Sequence, residues 1–253
     1  MKKIILKATL CVLTLSSLVF YACSKTKTNE SPTPSVPVVD YVKLESYLKG
    51  AILEVDEYTT KNQTHDPKKI AEVVNQYAIR ETGQSVEQYD QLKALHDKYD
   101  KYIDPNDESI SKGITAFVND GLLSKVQGSF LYDLDTEMLR TNDVPEALEV
   151  LKVFEQKVDR SDKLSDMEKY SLKMMKTTIK VQYELLKNGS ARSACTDCMW
   201  KKRWSIFGWA GIFLVAGLIA CVAASAGIGF PACAALIAAS WAGEIIAHCP
   251  ICI

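Results

Sequence analysis

The feature that most constrains this chain is an uncharged stretch near its C-terminus. From Trp204 to Gly243 the sequence contains no Asp, Glu, Lys or Arg, and Ala, Gly, Ile, Leu and Trp dominate it. The stretch is interrupted once, by Gly-Ile-Gly-Phe-Pro at residues 227–231. Gly and Pro favour turns, and Pro is tolerated as the first residue of a helix. The pattern therefore predicts two apolar helices, at about residues 204–226 and 232–247, folded back on each other as a hairpin.

Small residues recur at every fourth position in both predicted helices. Residues 216, 220 and 224 are all Ala in the first helix, and residues 234, 238 and 242 are all Ala in the second. This spacing lets two helix backbones approach closely, either in lipid or in a dry protein core.

Six of the eight cysteines flank the predicted hairpin. Two CxxC pairs lie at its base and two single cysteines lie near its turn; the six residues are Cys195, Cys198, Cys221, Cys233, Cys249 and Cys252. Paired CxxC motifs are typical of zinc sites in cytosolic proteins, whereas exported cysteines usually oxidise. An even set of six suits three disulfides better than a four-ligand metal site. We therefore predict disulfides and no metal, with a Cys221–Cys233 bridge at the tip; zinc is the alternative.

The N-terminus, residues 1–22, has the pattern of an export signal. Lys2, Lys3 and Lys7 form a basic start, residues 4–20 are mainly apolar, and Ala22 precedes Cys23. This resembles the signal of bacterial lipoproteins, in which signal peptidase II cuts directly before a Cys that is then lipidated. The resemblance implies lipidation at Cys23 and a membrane-anchored location in the cell envelope, outside the cytoplasm. An ordinary signal peptide that contains a Cys is the alternative.

The segment at residues 23–38 is predicted to be a lipidated N-terminus and flexible linker, because Ser, Thr and Pro dominate it. Residues 39–190 carry most of the charge, have little Gly and show no sustained alternation of period two. Apolar stripes of helical spacing and capping patterns predict a helical bundle there. The fold class is thus all-α: a helical bundle followed, at residues 191–253, by a Cys-rich hydrophobic hairpin. Because these signals are local, they predict that the bundle folds without the tail.

The bundle helices are delimited by recognisable start and stop signals. Predicted N-caps are Asp66 before Pro67, Ser85, Asp143 and Ser165. A stripe of apolar residues predicts the first helix and consists of Val42, Leu44, Tyr47, Leu48, Ala51, Ile52 and Val55. The later helices are expected at about residues 68–80, 85–102, 108–118, 130–139, 145–158 and 165–187.

No motif for enzymatic chemistry is present. The sequence lacks a nucleophile elbow, a phosphate-binding loop, an HExxH pair and a dinucleotide fingerprint, so we predict a protein that is not an enzyme, with no catalytic residue and no cofactor. Asp133-x-Asp135-x-Glu137 has the spacing of a calcium loop but lacks its Gly and falls in a predicted helix, so it is interpreted as a solvated face. His65 and His96 are interpreted as surface residues.

Several Tyr residues of the bundle could form a carbohydrate- or peptide-binding surface. We instead interpret them as residues at the edge of the core with hydroxyl groups that reach water; they are Tyr89, Tyr99, Tyr102 and Tyr132. A net charge of −1 provides no general attraction to nucleic acid, and no nucleic-acid partner is predicted.

Three interpretations of the hairpin remain open. It could insert into the membrane, since residues 204–226 are long enough to span it. It could be a stapled hydrophobic core against which the bundle packs. Its spaced cysteines and Ala/Gly-rich helices also resemble cysteine-rich bacteriocins of the halocin type, which implies a membrane-active toxin or toxin precursor. The membrane is thus the predicted partner, through the lipid and in one interpretation through the hairpin; no protein partner is identified.

Overall fold

The computed structural model describes residues 40–64, 66–83, 94, 97–103, 107–187, 204–205 and 207–216. These ranges belong to one compact unit. They are mainly helical and contain no β-strand. The prediction of an all-α fold is therefore confirmed for the part of the chain that is described.

Six α-helices and a short 3-10 helix have defined bounds. In chain order they are α1 (Tyr41–Asn62), α2 (Pro67–Thr82), the 3-10 helix Asp100–Tyr102, α3 (Ser111–Asn119), α4 (Lys125–Met138), α5 (Val144–Arg160) and α6 (Asp166–Lys187). Residues 204–205 and 207–216 are also helical and are called the apolar segment below.

Local capping explains where several helices begin. Asp66 accepts a hydrogen bond from the backbone N–H of Lys68, with Pro67 as the first helical residue, and Asp143 caps α5 in the same way. At the start of α6 the Ser165 hydroxyl accepts from the backbone of Glu168, whose carboxylate accepts from the Ser165 backbone at 2.8 Å. These three predicted starts are confirmed.

Two helices differ from their predicted bounds. Helix α4 begins at Lys125, five residues before the predicted start at residue 130, because Ser124 and Gln127 form a capping box. The Ser-x-x-Gln spacing of this capping box is present in the sequence. Helix α3 begins at Ser111 rather than near residue 108, and its N-cap residue, Ile110, makes no side-chain cap.

Helix α6 contacts two other helices, α1 and α5. Helix α2 packs on α1, and α4 contacts both α3 and α5. From Tyr170 to Tyr183 every residue of α6 is buried except the half-buried Lys173 and Lys180. A helix with almost no exposed face over three turns is a central element of the core rather than a surface helix.

Most of the stripe predicted for α1 faces the core, but its first residue does not. Tyr47 and Ile52 are half-buried and Val42 is 79% exposed; the buried members are Leu44, Leu48, Ala51 and Val55. Val42 lies in the first turn, about 200° around the helix axis from Leu44, so it faces away from the core.

Candidate functional site: the junction of the apolar segment with the bundle

The apolar segment lies inside the protein and has no exposed face. Every one of its described side chains is buried, and those of Ala210, Ile212, Leu214 and Val215 have no accessible surface. An amphipathic surface helix would expose one side, so the segment packs as an interior helix.

One side of the apolar segment packs closely against α6. A β-carbon at Gly211 would lie 2.6 Å from Cγ of Met175 and 3.0 Å from Cδ1 of Ile179. One turn earlier, the Phe207 ring meets the Tyr183 ring edge-on, with centroids 5.0 Å apart. Because residue 207 lies near residue 183 and residue 211 lies near residues 175 and 179, the segment runs antiparallel to α6.

Another side of the apolar segment packs against α3 and the residue that precedes it. The six-membered ring of Trp209 occupies the space next to Gly113, where a β-carbon would overlap it. A β-carbon at Gly208 would lie 2.9 Å from Cδ1 of Ile110. Glycines on both partners therefore allow this close approach, since any larger residue would force the helices apart.

An aromatic cluster continues this contact. Phe213 meets the Phe117 ring edge-on at 5.3 Å between centroids, and Tyr99 stacks on Phe117 at 4.0 Å. The Tyr99 hydroxyl donates to Oδ2 of Asp120 at 2.6 Å. Burial, and then this hydrogen bond, raise the pKa of Tyr99, so the hydroxyl stays protonated and remains a donor. The Lys98 ammonium group lies 2.7 Å from the same Oδ2, and its hydrogen bond lowers the pKa of Asp120.

A single buried carboxylate joins the start of the apolar segment to the bundle. Asp135, on α4, is 4% exposed. Its Oδ1 accepts from the Trp204 indole N–H at 2.6 Å and from the Ile110 backbone N–H at 3.1 Å. Its Oδ2 accepts from the Ser109 hydroxyl at 2.6 Å. Three neutral donors from two other parts of the chain thus meet at one side chain.

This arrangement joins the start of α3 to α4. The first backbone N–H groups of a helix need acceptors from outside the helix. Here the Ser109 hydroxyl accepts from the N–H of Ser111 at 3.1 Å, and Asp135 accepts from the N–H of the N-cap residue, Ile110. A carboxylate is also favoured at a helix N-terminus by the direction of the peptide dipoles. Asp135 therefore stabilises both the start of α3 and the position of Trp204.

Asp133, Asp135 and Glu137 are interpreted from the sequence as one solvated face. This interpretation is wrong for Asp135, which is buried. Asp133 and Glu137 are exposed, but Asp135 lies on the apolar face of α4 with Leu131, Leu134 and Met138. That spacing of i, i+3, i+4 and i+7 was visible in the sequence and could have identified Asp135 as a buried anchor. In the described ranges no group of three or more His, Cys, Asp or Glu residues could hold a metal ion.

The Tyr residues considered as a binding surface differ in their exposure, although the ring centroids of Tyr99 and Tyr102 lie 6.1 Å apart. Tyr99 is buried, Tyr102 is half-buried, and Tyr132 is 37% exposed with its hydroxyl 2.6 Å from that of Thr115. Tyr89 lies outside the described residues, as do His65 and His96. Tyr99 thus belongs to the core, and its hydroxyl donates to Asp120.

The predicted lipidation and disulfide residues all lie outside the described part of the chain. They are Cys23, Cys195, Cys198, Cys221, Cys233, Cys249 and Cys252. Lipidation and disulfide formation therefore stay predictions. A search of the described residues finds no helix with the length and apolarity needed to span a membrane.

The described residues form an all-α domain that encloses an apolar segment from the C-terminal region of the same chain. Comparisons with protein-family models, with curated proteins and with solved structures found no match to this chain.

Proposed function

We propose that this protein is an exported, lipid-anchored protein of the cell envelope whose helical ectodomain takes the apolar C-terminal region into its own core. The basic start, apolar stretch and Ala22-Cys23 junction support export and lipidation. The hydrogen bond from Trp204 to Asp135 is the main observation that supports a structural role for the apolar segment.

The contacts of the apolar segment favour this role over membrane insertion. Transfer of the segment to lipid would leave the Asp135 carboxylate with two of its three donors and would expose Met175, Ile179 and Phe117. Loss of one hydrogen bond to a charged group costs about 1.5–3 kcal/mol, and each exposed large apolar side chain costs about 1.5–3 kcal/mol. The sum is comparable with the whole stability of an ordinary domain.

Fractionation tests the lipid anchor and the role of the segment together. Membranes from cells expressing the wild type, Cys23→Ala or Cys11→Ala are extracted with alkaline carbonate. We expect Cys23→Ala that has lost its signal to become soluble, while Cys11→Ala, a matched change inside the predicted signal, stays in the membrane. Mass spectrometry of the N-terminus should identify an acylated Cys23 in the wild type and shows whether the signal has been removed from the variant. A Cys23→Ala protein that has lost its signal and still resists extraction would favour insertion of the apolar region and contradict the proposal.

The proposal includes a stapled hairpin at residues 191–253. A reversal at Gly229 would bring Cys221 and Cys233 together at the tip, with Cys195 and Cys198 joined to Cys249 and Cys252 at the base. The tip bridge would close a loop of about a dozen residues and contribute about 3 kcal/mol by chain entropy. Peptide mapping without reduction should find this pairing. A bridge from Cys221 to either CxxC pair, or four zinc-bound thiolates with Cys221 and Cys233 free, would reject the hairpin.

A second candidate is a bacteriocin-like toxin precursor, with the C-terminal module as its active part. The observation that favours it is the complete burial of the described apolar segment, because a membrane-active helix must be kept from lipid until it is needed. The test is dye release from lipid vesicles by the oxidised peptide of residues 191–253 and by the full chain. Release by the peptide alone supports this candidate, and an inactive peptide rejects it.

A further inference from the structure

The antiparallel helices α4 and α5 enclose a solvent-accessible cleft that the proposed function does not use. Its volume is about 460 Å³, within the usual range of small-molecule sites. Asp133 lines the cleft, whereas Asp135, two residues further along α4, points to the opposite side and anchors the apolar segment. The cleft and the junction are therefore on different faces of α4.

The floor of the cleft is apolar and partly aromatic. Leu134 and Phe154 are buried, Phe130 and Val150 are half-buried, and Val153 is 41% exposed at the wall. The rings of Phe130 and Phe154 meet edge-on, with centroids 6.4 Å apart. A ligand in the cleft would thus contact aliphatic carbon and aromatic ring surface.

The rim of the cleft carries a small excess of negative charge. Its carboxylates are Asp133 and Glu137 on α4 and Glu146 and Glu149 on α5, and its cations are Arg140 and Lys157. The Arg140 guanidinium is bound to Glu137 at 3.0 Å, and the Lys152 ammonium group is bound to Glu149 at 3.1 Å. Within the described residues, the Asp133 carboxylate makes no hydrogen bond or ion pair. A positively charged group of a ligand would therefore be favoured above the apolar floor.

We propose that this cleft binds an amphiphilic organic cation: a small molecule with an apolar body and an amine or quaternary ammonium head. The apolar body would cover Leu134, Val150 and Val153, and the head would lie among the rim carboxylates. The Phe130 ring adds a favourable cation–π contact when the head passes over its face. An anionic or neutral amphiphile would gain the same apolar contacts without the electrostatic ones.

Three probes with the same tail separate these contributions. Octyltrimethylammonium, octyl sulfate and octyl glucoside, each below its micellar concentration, are titrated into the mature chain and followed by calorimetry and by NMR of the Val methyl groups. We expect the ammonium probe to bind at one site near Val150 and Val153, more tightly than the other two, and more weakly as salt is raised.

Variants locate the binding and test its electrostatic part. The double change Asp133→Asn and Glu137→Gln should weaken binding of the ammonium probe roughly threefold to tenfold, because exposed ion pairs each contribute about 0.2–1 kcal/mol. Glu57→Gln with Glu72→Gln removes the same charge from exposed positions of α1 and α2 and should leave binding unchanged. Val153→Lys, at an exposed position, should abolish binding without unfolding the protein. Equal affinity for all three probes, no binding, or binding that survives Val153→Lys would overturn the proposal.

Discussion

The six-membered ring of Trp209 fills the space that a side chain at position 113 would need. Gly in the middle of a helix costs about 0.5–1 kcal/mol relative to Ala, so α3 carries a local cost at Gly113. The cost is offset because the missing β-carbon lets the apolar segment lie directly against the α3 backbone. Close packing of two backbones, and not helix propensity, thus explains why residue 113 is Gly.

Gly113→Ala should lower the free energy of unfolding by about 1–3 kcal/mol. The gain in helix propensity is smaller than the cost of moving a rigid indole ring out of a filled core. Urea unfolding of the full chain, followed by circular dichroism, measures the change. Thr115→Ala, at an exposed position two residues further along α3, is the control and should change stability by less than about 1 kcal/mol. A stabilised Gly113→Ala protein would show that Trp209 does not pack there.

The start of the apolar segment gives a second prediction. Trp204→Phe removes the indole N–H and leaves Asp135 with one donor fewer, which should cost about 1–3 kcal/mol. Asp135→Leu should cost more, because two buried donors and the half-buried Ser109 hydroxyl lose this acceptor together. Equilibrium unfolding of the single and double variants gives the coupling energy between the two residues.

The control for this cycle is Asp133→Asn, on the exposed face of the same helix. It should change the free energy of unfolding by no more than about 0.5 kcal/mol. If Trp204→Phe and Asp135→Leu were strictly additive, the two side chains would not interact, and the proposed anchor would be absent.

Much of the bundle could be predicted because its signals are local. Asp66 with Pro67, Asp143, and Ser165 with Glu168 fix helix starts through hydrogen bonds within three residues. The start of α3 could not be predicted from local signals alone, since its N-cap residue, Ile110, is bound by Asp135, 25 residues further along the chain. Periodicity also identified the apolar segment as a helix but not its surroundings, because lipid and a protein core both favour an apolar surface on all sides.

The third prediction concerns removal of the apolar segment. Local sequence patterns predict that the bundle folds without its tail, whereas the burial of the segment predicts that the bundle needs it. Six large apolar side chains of the segment are buried, and their burial contributes on the order of 10 kcal/mol; they are Trp204, Phe207, Trp209, Ile212, Phe213 and Leu214. The stability of a typical domain is only about 5–15 kcal/mol. A fragment of residues 39–190 should therefore keep helix but lose cooperative unfolding.

Circular dichroism and thermal unfolding of that fragment, beside the mature full chain, measure this effect. Binding of a hydrophobic dye should increase in the fragment, because Phe117, Met175 and Ile179 lose the segment that covers them. A fragment that melts cooperatively at the temperature of the full chain would mean that the segment is not part of the core.

The Glu168 carboxylate at the start of α6 provides the last prediction, which concerns pH. Partial burial raises the pKa of Glu168, but hydrogen bonds from the Ser124 side chain and from the Ser165 backbone and hydroxyl outweigh this effect, so the pKa lies below its ordinary value of 4.5. A depressed pKa in the folded state stabilises the protein above the ordinary pKa, and the stabilisation is lost as pH falls through the folded value.

Wild type should therefore be more stable than Glu168→Gln at pH 6, by less than about 1 kcal/mol, because the carboxylate is only partly buried and solvent screens its interactions. The difference should shrink below pH 4.5 and disappear once the carboxyl group of the folded protein is protonated. Urea unfolding at intervals between pH 6 and pH 3 measures it, with Glu57→Gln on the exposed face of α1 as the control for loss of a carboxylate. A difference between wild type and Glu168→Gln that stayed constant over this range would mean that the Ser165–Glu168 capping box stabilises α6 without its charge.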